Sequence, residues 1–250
     1  TSRIRAAVHE HRLRRTTGPR PGSDPAAKRR ARNALRADTL RFGVYNCNGL
    51  SRERLDWLAG DEEGMQHGLG YDLLGLTECH GGEQGLAVGY GGRRLIVGGP
   101  TGDDTAAGTA ILLSSRFSRA VLDSGHVGCR FTWVELATDL PCKFYVVIPY
   151  VPHFGRKTAP FAADTFKVID DFMHDRGRGN CVVMMGDFNA RLGQRKKGSD
   201  DRATGRWTVH KHDNEMGTQL RQIMHEHDLV AASTMFQPRI KRGGAGTWQP

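Results

Sequence analysis

The chain has 250 residues, 38% hydrophobic and 25% charged, with 36 Lys and Arg against 27 Asp and Glu for a formal net charge of +9. That apolar content suffices for a sizeable core in one domain or two small ones, and no stretch approaches the ~18 consecutive apolar residues of a membrane-spanning helix, which excludes a protein built on such helices. Five scattered cysteines, Cys47, Cys79, Cys129, Cys142 and Cys181, include no C-x-x-C pair, which argues against a disulfide scaffold or thiolate zinc site and for a reducing, intracellular setting.

In chain order, residues 1–36 carry eleven basic residues against two acidic ones, and 25 of each sign remain from residue 37 onward. The whole net charge therefore sits at the start, and residues 1–38 are predicted as a basic, disordered leader suited to a polyanionic partner. Lys28-Arg29-Arg30-Ala31-Arg32 reads as a nuclear localisation signal, a nucleic-acid-binding arm, part of an organelle transit peptide or a solvated linker. Residues 39–250 read as one α/β domain. A strand is predicted over 40–45, and Ser51 caps a short helix through Leu55 and Leu58 that stops at Gly60. Further strands are predicted over 72–77, 94–97, 109–113, 131–136 and 143–148, rich in Val, Ile and aromatics. Ten glycines between Gly81 and Gly108 predict long mobile surface loops. Phe161, Phe166, Ile169, Phe172 and Met173 keep a near 3.6 period, which predicts an amphipathic helix over 159–176. A buried strand over 181–185, a helix through Leu220, Ile223 and Met224, and a strand over 229–232 complete the pattern. The irregular alternation favours mixed sheets covered by helices over a β-α-β repeat.

The residues with chemical potential cluster just past predicted strand ends: Asn46 and Asn48, Glu78, Tyr150, then Asp187 and Asn189. Strand ends of a buried sheet are where loops gather catalytic groups on a rigid base. These are oxygen donors and amides with no thiolate or paired His, a set that suits Mg²⁺, or Mn²⁺, better than zinc. His80 reads as a surface loop residue. His225-Glu226-His227-Asp228 has metal-binding residue types, but positions 225 and 227 do not share a helix face, so a solvated reading is preferred.

Four segments, Asn46-Cys47-Asn48-Gly49-Leu50, Leu76-Thr77-Glu78, Tyr150-Val151-Pro152 and Gly186-Asp187-Phe188-Asn189-Ala190, occur in an order and spacing similar to the endonuclease/exonuclease/phosphatase (DNase I-like) superfamily. The chain resembles in particular the endonuclease domains of non-LTR (LINE-type) retrotransposons and craniofacial development protein 2-like proteins. Thr204-Gly205-Arg206-Trp207, Asn214-Glu215-Met216-Gly217-Thr218-Gln219-Leu220 and Thr247-Trp248 extend the likeness, which covers about residues 40–250. It implies a four-layer α/β sandwich, two mixed β-sheets flanked by helices. It also implies a Mg²⁺-dependent endonuclease, with Mn²⁺ as substitute, that nicks DNA and derives from a retroelement whose longer polypeptide carries a reverse transcriptase. No membrane partner is expected, and a nuclear location is expected over a cytoplasmic or organellar one.

By the same resemblance, Glu78 is the principal metal ligand. Asn48, where many relatives have Asp, helps through the metal's water shell, and Asn46 orients the phosphate and the metal-site groups. Asp187 positions or deprotonates the attacking water, while Asn189 and Tyr150 hydrogen-bond the phosphoryl oxygens. In-line hydrolysis of a phosphodiester needs such a metal, fixed donors and a base. Arg191, Arg195, Lys196, Lys197 and Arg206 follow the Asp187 motif as a grip for the DNA backbone. The superfamily also holds inositol phosphate phosphatases, sphingomyelinases and deadenylases, and a non-catalytic nucleic-acid-binding fragment is the alternative from another class. The family pattern closes on Ser-Asp-His, which these 250 residues lack. The sequence starts at Thr1 and stops soon after Trp248, so the expectation is a C-terminally truncated domain, a fragment of a longer reading frame with impaired catalysis.

Overall fold

The computed structural model describes residues 40–59, 71–80, 87–90, 93–98, 107–153, 155, 157–195 and 201–236. The predicted leader, Lys196, Lys197 and Trp248 lie outside them. The chain divides into two compact units, one of Thr1–Tyr150 with Gly179–Gly186 and the other of Val151–Arg178 with Asp187–Pro250.

The first unit is built on two mixed sheets. Strands β1 (Phe42–Asn46), β2 (Leu73–Thr77), β3 (Ala87–Tyr90), β4 (Arg93–Val97) and β5 (Thr109–Leu113) form the first, in the order β1-β2-β5-β4-β3. Strands β6 (Val121–Val127), β7 (Phe131–Leu136), β8 (Phe144–Pro149) and β9 (Cys181–Met184) form the second, in that order. Side chains alternate across each strand, so one row of the first sheet meets the second. Leu73, Ile111 and Leu113 face Val134, Leu136, Val146 and Ile148 in the core between the sheets. Leu74, Leu76, Ala110 and Leu112 point the other way, toward Leu55 and Leu58 of helix α1 (Arg52–Ala59). Both faces of β2 and β5 are thus buried, which is why their sequences read as unbroken apolar runs. This is the two-sheet α/β sandwich expected from the sequence.

Each sheet contains one parallel pair at an edge, β1 with β2 and β8 with β9. A parallel pair sets two strand C-termini side by side, and the sequence-predicted site residues follow those ends. Ser51 accepts from the Arg54 backbone N–H at 3.2 Å and caps α1, as expected. A short helix, α2 (Ser115–Ser118), and the strand β6 were not foreseen.

The second unit contains α3 (Ala159–Phe172), continued by a π-helical turn over Met173–Gly177, then α4 (Glu215–Glu226) and α5 (Ala232–Met235). Helix α3 starts with Pro160 in its first turn and buries Ala162, Phe166, Ile169 and Phe172. It packs against α4, which buries Met216, Leu220, Ile223 and Met224.

Two expectations are corrected. Within the stretch predicted as mobile loop, Ala87–Tyr90 is a strand that pairs antiparallel with Arg93–Val97, where a strand is expected over 94–97. The strand expected over 229–232 is absent, and Ala232 instead begins α5. Its apolar run is too short to choose a period, and Val230 is 57% exposed, so no sheet face claims it.

Candidate active site

In the first unit, candidate residues lie where β1 and β2 end. The Asn46 side-chain oxygen accepts from the Asn48 N–H at 3.0 Å, a turn that Asn makes locally without help from the sheet. The chain then drops against the β2 loop through two backbone bonds, Gly49 N–H to the Glu78 carbonyl at 2.7 Å and Leu50 N–H to the Cys79 carbonyl at 2.9 Å. On its other side the β2 loop is fixed to the start of β5, with Cys79 N–H donating to Gly108 at 3.1 Å and His80 N–H to Ala107 at 3.1 Å. Glu78 is therefore clamped from both flanks.

That clamp holds strained backbone. Asn48, Glu78 and His80 have φ of 43°, 52° and 46°. Left-handed backbone is tolerated by Asn but costs a Glu or His of order 1–3 kcal/mol unless the surroundings enforce it. Asn46 and Asn48 are exposed and Glu78 is half-buried, so their oxygens reach solvent while their backbones do not move freely.

Arg54 of α1 was not anticipated. Its guanidinium reaches back over the loop and donates to the carbonyls of Cys47, of Asn48 at 3.3 Å and of Gly49 at 2.8 Å. An open cleft of about 390 Å³ is lined by Asn48, Gly49, Leu50, Ser51, Arg54 and His80. His80, expected on the surface, is thus part of a cleft wall. Cys47 and Cys79 are both buried, and the Cys47 thiol donates to the Tyr45 carbonyl at 3.9 Å. The neighbouring Cys79 thiol holds the Cys47 thiol below its ordinary range against the opposing burial, helped by the Arg54 cation and opposed by the Glu78 charge. The Cys47 thiol and burial push Cys79 strongly up.

Tyr150 follows β8 and is buried. The Arg130 guanidinium lies 5.4 Å from its ring centroid, and the Tyr150 N–H donates to the Arg130 carbonyl at 2.8 Å. Burial lowers the Arg130 pKa, and the Tyr150 charge opposes that shift. Arg130 is a second functional candidate that sequence reasoning passed over.

The second unit carries its own group of candidate residues. The Asp187 side chain accepts from the Asn189 N–H at 3.1 Å, and Asn189 has φ of 46°. Asn189 Nδ2 donates to the Val151 carbonyl at 2.9 Å, leaving one amide hydrogen for another acceptor. Asn214, the N-cap of α4, ties this loop down. Its oxygen accepts from Gly217 and Arg191 N–H groups, both at 2.8 Å, and its Nδ2 donates to the Asn189 carbonyl at 3.0 Å. A Cβ on Gly217 would lie 2.0 Å from the Arg191 carbonyl oxygen, so this contact requires glycine. Asn before a helical run was the legible signal for this cap.

Below the cap, Arg221 donates in fork geometry to Asp213 at 2.8 and 2.7 Å, and also to Asp201, to Thr204 at 3.0 Å and to the Gly193 carbonyl at 3.2 Å. The Arg221 bond draws the Asp213 carboxyl below its usual range despite burial. Burial raises Asp201, but the Thr204 hydroxyl, the Ala203 N–H and Arg221 outweigh it and leave it low. Arg191, Arg195 and Arg206 are exposed, and Arg206 stacks 5.0 Å from the Trp207 ring.

The residues thus gather as Asn46, Asn48 and Glu78 in the first unit and as Asp187 and Asn189 in the second, with Tyr150 beside Arg130. No protein-family model matches the chain, and no curated protein matches it. Among solved structures it is similar to the crystal structure of a functionally unknown conserved protein from Enterococcus faecalis V583. That likeness has 16% identity and a TM-score of 0.43, and covers 73% of this chain and 72% of that one. At that level it carries no functional argument.

Proposed function

We propose that the chain is a Mg²⁺-dependent phosphodiesterase, of the endonuclease kind, that cleaves DNA. The observation that supports this most is the clamp on Glu78. A carboxylate at φ 52° and an amide oxygen on the adjoining loop, Asn48, are held by direct backbone bonds at the ends of two parallel strands. One carboxylate, one amide and free access for water fit Mg²⁺, which keeps several of its waters, and Mn²⁺ shares the preference for oxygen. Glu78 and Asn48 are the residues to hold it, and the ion would neutralise charge developing on the phosphoryl oxygens.

The protein's own groups divide the remaining work. Asn46 spends its oxygen on the turn and keeps its amide hydrogens for a phosphate. Asp187 commits one oxygen to Asn189, so the other is left to orient and deprotonate a water. The remaining amide hydrogen of Asn189 and the Tyr150 hydroxyl are the donors for phosphoryl oxygens. Arg191, Arg195 and Arg206 are the exposed cations for flanking phosphates.

The test is nicking of supercoiled plasmid with Mg²⁺, next to calorimetric titration of Mg²⁺ itself. Expected are Mg²⁺-dependent nicking, a loss of at least ~100-fold in Glu78→Ala and in Asp187→Ala, and loss of Mg²⁺ binding only in the former. Hydrolysis of an inositol phosphate without nicking would overturn the DNA assignment. Unaltered Mg²⁺ binding in Glu78→Ala would overturn the metal assignment.

A further inference from the structure

We propose that Asp170, His174 and His227 form a separate site for a borderline transition-metal ion, with Zn²⁺ the best match, that pins the end of α3 to the end of α4. All three belong to the second unit, and none of them takes part in the proposed phosphodiesterase site. Asp170 and His174 stand four residues apart on α3 and its π-helical turn, so they share a face. His227 caps the C-terminus of α4. His227 Nε2 lies 2.7 Å and His174 Nε2 3.6 Å from the same Asp170 oxygen, Oδ1. The two imidazoles meet edge to face with centroids 4.7 Å apart. One donor atom from each residue falls within 4.8 Å of the others.

Those spacings match a coordination sphere. Zinc bonds of ~2.0–2.1 Å in tetrahedral geometry set neighbouring donors roughly 3.3 Å apart. The His174 to Asp170 distance is close to that already, and the His227 to Asp170 pair has only to open by a fraction of an ångström. Two nitrogens and one oxygen select Zn²⁺ or a neighbouring first-row ion and disfavour Mg²⁺, so this donor set differs in kind from Glu78 and Asn48. The burial is graded as well. The His227 side chain is 8% exposed, Asp170 34% and His174 69%, which fixes one ligand in the protein and leaves the outer side open for water. The helix widens into its π turn at the segment that carries His174, and such turns recur at functional positions.

The pairing explains a half-right reading of His225-Glu226-His227-Asp228. His225 and His227 do diverge, since His225 turns to Asp201 at 3.4 Å. The partners of His227 come instead from a helix more than fifty residues upstream.

The experiment uses the full chain, stripped with EDTA and titrated with Zn²⁺ by calorimetry while the thermal midpoint is followed. Mg²⁺ serves as the control ion. One equivalent of Zn²⁺ is expected to bind and to raise Tm, and Mg²⁺ is expected to do neither. His174→Ala, at a mostly exposed side chain, should leave the metal-free Tm unchanged. It should weaken Zn²⁺ binding by more than ~10-fold, the loss that even an outer-sphere partner causes, and abolish the Tm rise. X-ray absorption of the loaded protein should show imidazole and oxygen scattering without sulfur. Equal Zn²⁺ affinity and Tm rise in the wild type and His174→Ala, or sulfur ligation, would overturn the site. So would an absence of any Zn²⁺-induced Tm rise, which would make Asp170 to His227 an ordinary ion pair.

Discussion

The loop after β1 and the loop after β9 are built on one local device and anchored in two different ways. In each, a side-chain oxygen at the first position accepts from the N–H two residues on, and that third residue is an Asn in left-handed backbone: Asn46 to Asn48 at φ 43°, Asp187 to Asn189 at φ 46°. In each, one arginine stands behind the segment. Arg54 holds neutral peptide carbonyls, whereas Arg221 holds the carboxylates of Asp213 and Asp201. The first loop leaves the Asn48 side chain without a hydrogen-bond partner among the described residues. The second spends the Asn189 amide on Val151 and its carbonyl on Asn214. The same turn thus leaves a side chain exposed in one place and locks a loop in the other. What surrounds the turn decides which.

The most damaging way to break the comparison is at Gly186. A Cβ there would sit 2.0 Å from the Pro149 carbonyl oxygen, which is backbone and cannot swing aside. Gly186→Ala is expected to cost about 3 kcal/mol, a fall in Tm of roughly 6–12 °C, as the end of β9 is forced from β8. Chemical denaturation measures it directly, and a cost under about 1 kcal/mol would show that the strand ends separate freely.

The next effect concerns charge. Arg221→Met leaves two partly buried carboxylates uncompensated and is expected to cost about 2 kcal/mol at pH 7, discounted for their partial exposure. Both carboxyl groups are held below their unfolded values. Their contribution is therefore fully present above the ordinary carboxylate pKa near 4 and is lost as pH falls through the folded values. The cost of Arg221→Met should shrink toward pH 3, while that of Arg54→Met stays nearly flat because peptide carbonyls do not titrate. Parallel pH profiles for the two variants would contradict this account of the anchors.

In both loops the turn is legible in the sequence and the arginine that anchors it is not. The strands that precede them, β1 and β9, are partly buried edge strands that still show as short apolar runs, and the site positions follow from where those runs end. Asn46-Cys47-Asn48 and Asp187-Phe188-Asn189 could be read because their turns are made by residues two apart. Nothing local marks Arg54, whose acceptors lie on the preceding loop, or Arg221, whose carboxylates are eight and twenty residues away. His227 and Asp170, 57 residues apart, are further still beyond any periodicity. Strand β6 escaped for a different reason. Its sequence, Val121-Leu122-Asp123-Ser124-Gly125-His126-Val127, is half polar, and only pairing with β7 makes it a strand.

The smallest effect separates the loops most cleanly. Glycine enters left-handed backbone without the side-chain penalty, so replacing an Asn there tests only what its side chain does. Asn48→Gly removes a side chain with no hydrogen-bond partner among the described residues and is expected to change stability by less than about 0.5 kcal/mol in either direction. Asn189→Gly removes the donor to Val151 and is expected to destabilise by about 1 kcal/mol, the usual net worth of one such bond. Urea unfolding of both variants beside the wild type reads the difference, and equal costs would mean that the second loop is not held through its Asn side chain. Both backbones stay left-handed in this pair of variants. Any gap between them therefore belongs to the tertiary contact and not to the turn.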